Sequence, residues 1–233
     1  EVEDKVTAGW KLSTAGGVSA SRVAVWDGST WSQLGSGLSG TVFSLAMGRD
    51  GVLYAGGEIL RTGCIPLEEY YVLQWDGDFW SPLNLGPTGT VYALALDRSG
   101  ILYAGGRFLT AGSESANYIA RWDGSAWSAL GEGVGDTVSA LAMDRSGVLY
   151  AGGCFATAGG ESANYIARWD GSHWSPLGHG LNDAVVTLMW QDEQFLYVGG
   201  VFLQAGQKPS SAIARWSSPK NRVYLPLVVR SGP

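Results

Sequence analysis

The chain has 233 residues, enough for one sizeable domain with a real core. Charged residues make up only 15%, against about 25% in ordinary globular domains, while 35 glycines and 11 tryptophans stand out. That composition excludes a disordered chain, which is charge-rich and aromatic-poor, and a helical bundle, because Gly and β-branched residues make poor helices.

With 15 basic and 21 acidic residues the net charge is −6, and no Lys/Arg run exists. A phosphate-binding surface is therefore absent, and nucleic acid is not an expected partner. The longest apolar stretches, such as 223–229, fall far below the ~20 residues of a membrane helix, so no transmembrane segment is expected. The start, Glu1-Val2-Glu3-Asp4, has neither an initiator Met nor a signal-like segment and reads as a processed or trimmed chain.

A unit of 47 residues repeats throughout. Trp-Asp-Gly stands at Trp26, Trp75, Trp122 and Trp169, with a degenerate copy at Trp216-Ser217-Ser218, at spacings of 49, 47, 47 and 47. In chain order, the first unit opens on Val6-Thr7-Ala8-Gly9-Trp10, a decayed form of the later Leu-Tyr-Ala-Gly-Gly. It holds a second, third and fourth strand but no first. The second unit carries Leu53-Tyr54-Ala55-Gly56-Gly57 and two extra residues before Trp75. The third repeats the pattern from Leu102.

The fourth unit shows the elements most plainly. An apolar run over 137–143 predicts the first strand, and Asp144-Arg145-Ser146-Gly147 a tight turn. The second strand is expected over 148–155, followed by a Gly/Ser/Asn loop over 158–163. A third strand over 165–169, an Asp170-Gly171-Ser172 hairpin turn and a fourth strand over 173–177 complete it. The fifth unit has three strands and then an apolar tail containing Tyr224-Leu225-Pro226-Leu227.

That tail has two readings. Tyr-Leu-Pro-Leu matches the fourth-strand pattern Trp174-Ser175-Pro176-Leu177, and proline is normally confined to edge strands, which favours an outer strand. Alternatively, 223–232 imitates the run 138–147 and supplies the missing inner strand of the first unit. The gap that an absent inner strand would leave tips the expectation toward the inner position.

Four short strands per 47-residue unit are the signature of a β-propeller. The Gly-Gly doublet suits a crowded inner strand, and twin tryptophans five residues apart supply sheet-to-sheet packing. Leu-Tyr-Ala-Gly-Gly, Ile-Ala-Arg-Trp-Asp-Gly and Trp-Ser-x-Leu resemble kelch-type propeller repeats and the similar Trp-Asp-Gly repeats of secreted and cell-surface bacterial proteins. The resemblance implies an all-β, five-bladed propeller in one domain spanning 1–233, four antiparallel strands per blade, with 217–233 as a closing tail joined by the N-terminal segment. It implies no function, since such propellers host enzymes, lectins and scaffolds. The tail also resembles short C-terminal tails of some exported bacterial proteins, which with low Lys and high Trp/Gly suits an extracellular or cell-surface location.

In a repeat protein, function should break the repeat. The Asp of each Trp-Asp-Gly reads as a turn cap rather than a metal or ligand carboxylate. Arg121, Arg168 and Arg215 read as stacking on aromatics or pairing with turn carboxylates. The Asp-Arg-Ser-Gly turns lack the alternating acidic ligands of a calcium loop. His173 and His179 lack a third converging ligand, no Gly-x-Ser-x-Gly elbow exists, and the His, Tyr and Cys set of copper radical oxidases is missing. No metal, cofactor or catalytic residue is expected. Cys64 and Cys154 stand at different repeat positions, two units apart, so no disulfide is expected, and Cys154 reads as a buried free thiol.

Two departures remain. The second-unit loop 62–71 is apolar and acidic where its equivalents are Gly/Ser/Asn-rich, making Ile65, Leu67, Glu68 and Tyr70 candidates for contact with a partner chain. Drift in a tolerant loop explains it equally. The repeated Asn117-Tyr118 and Asn164-Tyr165 suit weak multivalent sugar binding, against packing of the tyrosines between blades. The expectation is a non-enzymatic interaction module for a protein or glycan. A lectin with one shallow site per blade is the alternative, and a channel-site enzyme the least favoured. The incomplete first and last units leave a homo-oligomer or larger assembly open.

Overall fold

The computed structural model describes residues 6–9, 11–60, 69–191 and 194–217. Every regular element among them is a β-strand. Each repeat forms one antiparallel sheet in sequence order. The second unit pairs Ser39–Met47, Leu53–Leu60, Glu69–Trp75 and Trp80–Pro82. The third pairs Val91–Leu96, Leu102–Gly106, Ile119–Trp122 and Trp127–Ala129. The fourth pairs Val138–Met143, Leu149–Gly153, Ile166–Trp169 and Trp174–Pro176.

The terminal units have three strands each among the described residues. Val6–Gly9, Val23–Trp26 and Trp31–Gln33 make the first sheet, the second, third and fourth strands that the sequence places in this unit. Val185–Gln191, Phe195–Gly200 and Ile213–Ser217 make the last. The tail 218–233 lies outside the described residues, as do Cys64 and most of the second-unit loop.

Sheets two to five meet through their first strands, and the core lies between neighbouring sheets rather than within one. Tyr54 and Val72 of the second unit share a buried cluster with Val91, Leu102 and Trp122 of the third. Tyr103 and Ile119 then join Val138, Leu149 and Trp169 of the fourth. Neither face of a sheet can be buried within its own unit, so each depends on its neighbours.

The Gly-Gly doublet lies on the second strand rather than on the inner one. Its first glycine meets the next sheet: a Cβ on Gly105 would press on Val138 and Leu141. Its second meets its own sheet: a Cβ on Gly106 would overlap the Thr90 carbonyl oxygen at the start of the first strand. Both positions need glycine because of close approach.

Two expected elements differ. The second strand of the fourth unit ends at Gly153 instead of 155, because Phe155 turns into the core and is fully buried. The expected loop that follows holds a hairpin, Thr157–Ala158 with Glu161–Ser162, closed by Gly159 (φ 57°) and Gly160 (φ 79°). Two left-handed residues form the turn that suits tight hairpins. The first, third and fifth units carry the same small hairpin.

Cys154 is exposed, which corrects the expectation of a buried thiol. The position after the doublet faces solvent, as exposed Glu58, Arg107 and Val201 confirm in the other units.

Candidate functional site

An antiparallel four-stranded unit has two unlike ends. The first-to-second and third-to-fourth turns share one end; the second-to-third and fourth-to-first loops share the other.

The turn end is built on aspartates. Asp123 accepts from the backbone N–H groups of Ser125 (2.8 Å) and Ala126 (2.9 Å) and from the Ser125 hydroxyl (2.8 Å). Asp27, Asp76 and Asp170 repeat the backbone pair. These donors hold the Asp123 and Asp170 carboxyls down at about 2, and Asp27 and Asp76 below the usual range. Asp97 and Asp144 cap the other turn the same way. The Oδ1 of each is spent on the fold. His173 stands here, exposed, its Nδ1 2.8 Å from the Ser172 hydroxyl.

The arginines find partners other than those turn carboxylates. Arg121 Nε donates to the fourth-strand Ser128 hydroxyl at 3.0 Å, and Arg215 stacks on the Phe195 ring at 4.2 Å.

The loop end varies. Just after each doublet stand Glu58, Arg107, Cys154 and Val201 in successive units. Between the second and third sheets this column opens a cleft of about 510 Å³ lined by Thr41, Glu58, Tyr71, Thr90 and Arg107. The Thr90 hydroxyl donates to Glu58 Oε1 at 2.7 Å, and the Arg107 backbone N–H to the Thr90 carbonyl at 2.8 Å. Tyr71, the last residue of the repeat-breaking segment 62–71, lines it. Of the loop residues proposed from sequence, Ile65, Leu67 and Glu68 lie outside the described residues; Tyr70 sits in the strand Glu69–Trp75, paired with Ile59, its side chain undescribed. The sequence reading missed Glu58 and Arg107, although their difference from unit to unit was a usable signal.

The Asn-Tyr pairs lie at this end also, brought into equivalent places in neighbouring units. Asn117 (φ 43°) and Tyr118 (φ 71°) are both left-handed and form a tight turn closed from Ile119 N–H to the Ala116 carbonyl at 3.2 Å. Asn tolerates this conformation better than other non-glycine residues. Its amide donates to the Glu132 carbonyl at 2.9 Å, and its own carbonyl accepts from Val134 N–H at 3.1 Å. Asn164 makes the same latch to the His179 carbonyl (3.1 Å) and Leu181 (3.0 Å). Tyr118 and Tyr165 are half-buried against the inter-sheet clusters. The amides of both asparagines are thus engaged in joining the two loops of their own unit.

A second cavity, of about 250 Å³, lies on the last sheet among Leu177, Leu181, Ala205, Gly206, Arg215 and Trp216. Among the described residues no group of three or more His, Cys, Asp or Glu is placed to hold a metal. Nor is any helix among them long and apolar enough to cross a membrane.

No protein-family model matches this chain, and no curated protein matches it. Solved structures do. A chain of the mitotic checkpoint complex aligns over 84% of this chain and 54% of its own length, with TM-score 0.54 and 20% identity. The extracellular domain of a B. thetaiotaomicron protein named as a hybrid two-component system aligns over 77% of this chain, with TM-score 0.53 and 12% identity. The fold is an all-β propeller. At these identities the likeness extends to the fold alone. The chain spans about a quarter of the extracellular domain it matches.

Proposed function

We propose that this propeller is a non-enzymatic interaction module that binds a protein or glycan through the loop end of its sheets, outside the cell or at the surface of a bacterium. The kelch-like, five-bladed and closed character of the ring belongs to the same proposal. One observation carries the reading. At the loop end the residue after the doublet changes character from unit to unit, around the Glu58, Thr90 and Arg107 cleft, while at the turn end the Asp of each Trp-Asp-Gly commits its Oδ1 to two backbone N–H groups of its own turn. Two opposite charges flanking a cleft between sheets suit a polar partner. The likeness to an extracellular domain is compatible with the location.

The test is binding to a glycan array and to an extracellular-domain library by the chain and by a Glu58→Ala/Arg107→Ala variant of equal thermal stability. Binding that the double variant loses supports the reading. Sugar binding at one site per sheet, unaffected by those substitutions and reduced by Tyr118→Ala and Tyr165→Ala, would favour the lectin instead. Hydrolase or oxidase turnover that survives purification and disappears on a point substitution would overturn the non-enzymatic assignment.

A further inference from the structure

The cavity on the last sheet has a counterpart in other units, where it is filled. The fourth-strand tryptophan does the filling: a Cβ at Gly112 would lie 3.5 Å from the Trp127 Cβ, and one at Gly159 2.9 Å from the Trp174 Cβ. Gly16 is likewise covered by Trp31. The same tryptophan ties its sheet to the preceding one, since Trp127 Nε1 donates to the Leu83 carbonyl (3.0 Å) and Trp174 Nε1 to that of Leu130 (2.7 Å). In the last unit a Cβ at the equivalent glycine, Gly206, would meet nothing within 4 Å among the described residues, and the next acceptor in the series, Leu177, lines the cavity that those residues leave open. Trp216 has no second tryptophan five residues on, where Asn221 stands.

We propose that the chain's own C-terminal segment fills this socket as the fourth strand of the last sheet, with Tyr224 in the tryptophan position and Leu227 in the place of Leu177. Tyr224-Leu225-Pro226-Leu227 keeps the spacing of Trp80-Ser81-Pro82-Leu83 and Trp174-Ser175-Pro176-Leu177, and reaches it with a turn three residues longer. Proline is no obstacle there. Pro82 and Pro176 both stand in fourth strands, opposite Leu73 and Ala167, on the outer edge where the missing N–H costs no ladder bond. A tyrosine offers the needed combination of apolar ring and terminal donor for the Leu177 carbonyl.

Two further features agree. In the sequence Leu225 takes the place of Ser128, which bonds the third-strand Arg121 in the third unit, and Arg215 Nε finds no hydrogen-bond partner among the described residues. Arg215 stacks instead on Phe195, a residue that replaces Ile101 and Val148 in this unit alone. The rival inner position on the first sheet is disfavoured by Trp10, which stands where every later unit has the second glycine of the doublet. In the later units a Cβ at that glycine would overlap a backbone carbonyl oxygen at the start of the first strand, so a first strand laid in the same way asks for glycine at the position that Trp10 holds in the sequence.

The experiment is a disulfide trap in the full chain with Cys64→Ser and Cys154→Ser. Gly206→Cys and Tyr224→Cys are paired, since the equivalent Cβ separations of 2.9–3.5 Å approach disulfide reach. Oxidation should give a monomeric disulfide in most molecules, whereas Gly206→Cys with Arg230→Cys should stay free. In the otherwise unaltered chain, ending at Lys220 or substituting Tyr224→Ala should each lower Tm by roughly 5 °C or more. Free thiols in the first pair, or a disulfide linking two chains, would overturn the proposal. So would a truncation at Lys220 that leaves Tm within about 1 °C of the full chain.

Discussion

The two ends of these sheets solve the same problem, reversing a strand, with different chemistry. At the turn end a carboxylate does it: four Trp-Asp-Gly turns and two Asp-x-Ser-Gly turns place an Asp against backbone N–H groups two and three or four residues on. That solution is local, so it recurs in four third-to-fourth turns and two first-to-second turns. At the loop end Asn117 and Asn164 reach across to carbonyls fifteen residues away, joining two loops that belong to different strand connections. A latch between loops constrains only the latched residues. The column of Glu58, Arg107, Cys154 and Val201 beside it is left to vary. The difference between the ends is where the hydrogen bonds are spent.

What spans both ends is the tryptophan staple, and its removal is expected to have the largest effect. Trp127 is 6% exposed, packs on Trp122 at 5.6 Å and bonds the preceding sheet. Trp127→Ala should cost about 3–5 kcal/mol, read as a fall in Tm of roughly 10 °C. Equal loss at Trp174→Ala would show that the sheets share one mode of cohesion; a Trp127→Ala variant as stable as the parent would break the comparison at its base.

The latch comes next. Asn117→Ala removes a hydrogen bond and puts a less tolerant residue at φ 43°, together about 2 kcal/mol, while Asn117→Gly, which keeps the conformation, should cost clearly less. Chemical denaturation of both variants reads the difference. An Asn117→Ala chain of unchanged stability would return the residue to the role of a free ligand contact.

Much of this is legible in the sequence, for physical reasons. The 47-residue period, the Asp turns and the order of strands within a unit follow from spacings that local geometry enforces. The short hairpin after the second strand is less visible, because Ala-Gly-Gly reads as loop until its two left-handed glycines are placed. Asn117 stands out for its amide, but the partner lies fifteen residues away on another loop, and no local pattern names it. The exposure of Cys154 runs against the sequence expectation because thiols are usually buried, whereas the position after Gly-Gly points to solvent in every unit described.

At the turn end the effect should be smaller and dependent on pH. The Asp123 carboxyl is held at about 2 in the folded chain by its N–H and hydroxyl donors, below the ordinary ~3.9 of an unfolded Asp. A depressed carboxyl contributes stability that is complete above the unfolded value and is lost as pH falls through the folded one. Tm of the parent should therefore fall between about pH 4 and 2, and Asp123→Ala should lie below it at pH 7 and converge on it near pH 2. A gap independent of pH would mean that Asp123 acts through shape rather than charge.

The smallest change in stability is expected in the cleft, and it is the sharpest test of the contrast between the ends. Glu58 and Arg107 are exposed, and the bond from the Thr90 hydroxyl to Glu58 is solvent-facing. Glu58→Ala and Arg107→Ala should each shift stability by no more than about 0.5 kcal/mol. Yet they should alter any binding to the loop end, and with opposite salt signatures, because one removes a negative and the other a positive charge from the same cleft. Titrating the two variants with one bound partner at low and high ionic strength separates the cases. Equal effects of both would mean that the cleft binds by shape. A large loss of stability from either would make Glu58 or Arg107 a structural residue, and the loop end would then serve the fold no less than the turn end does.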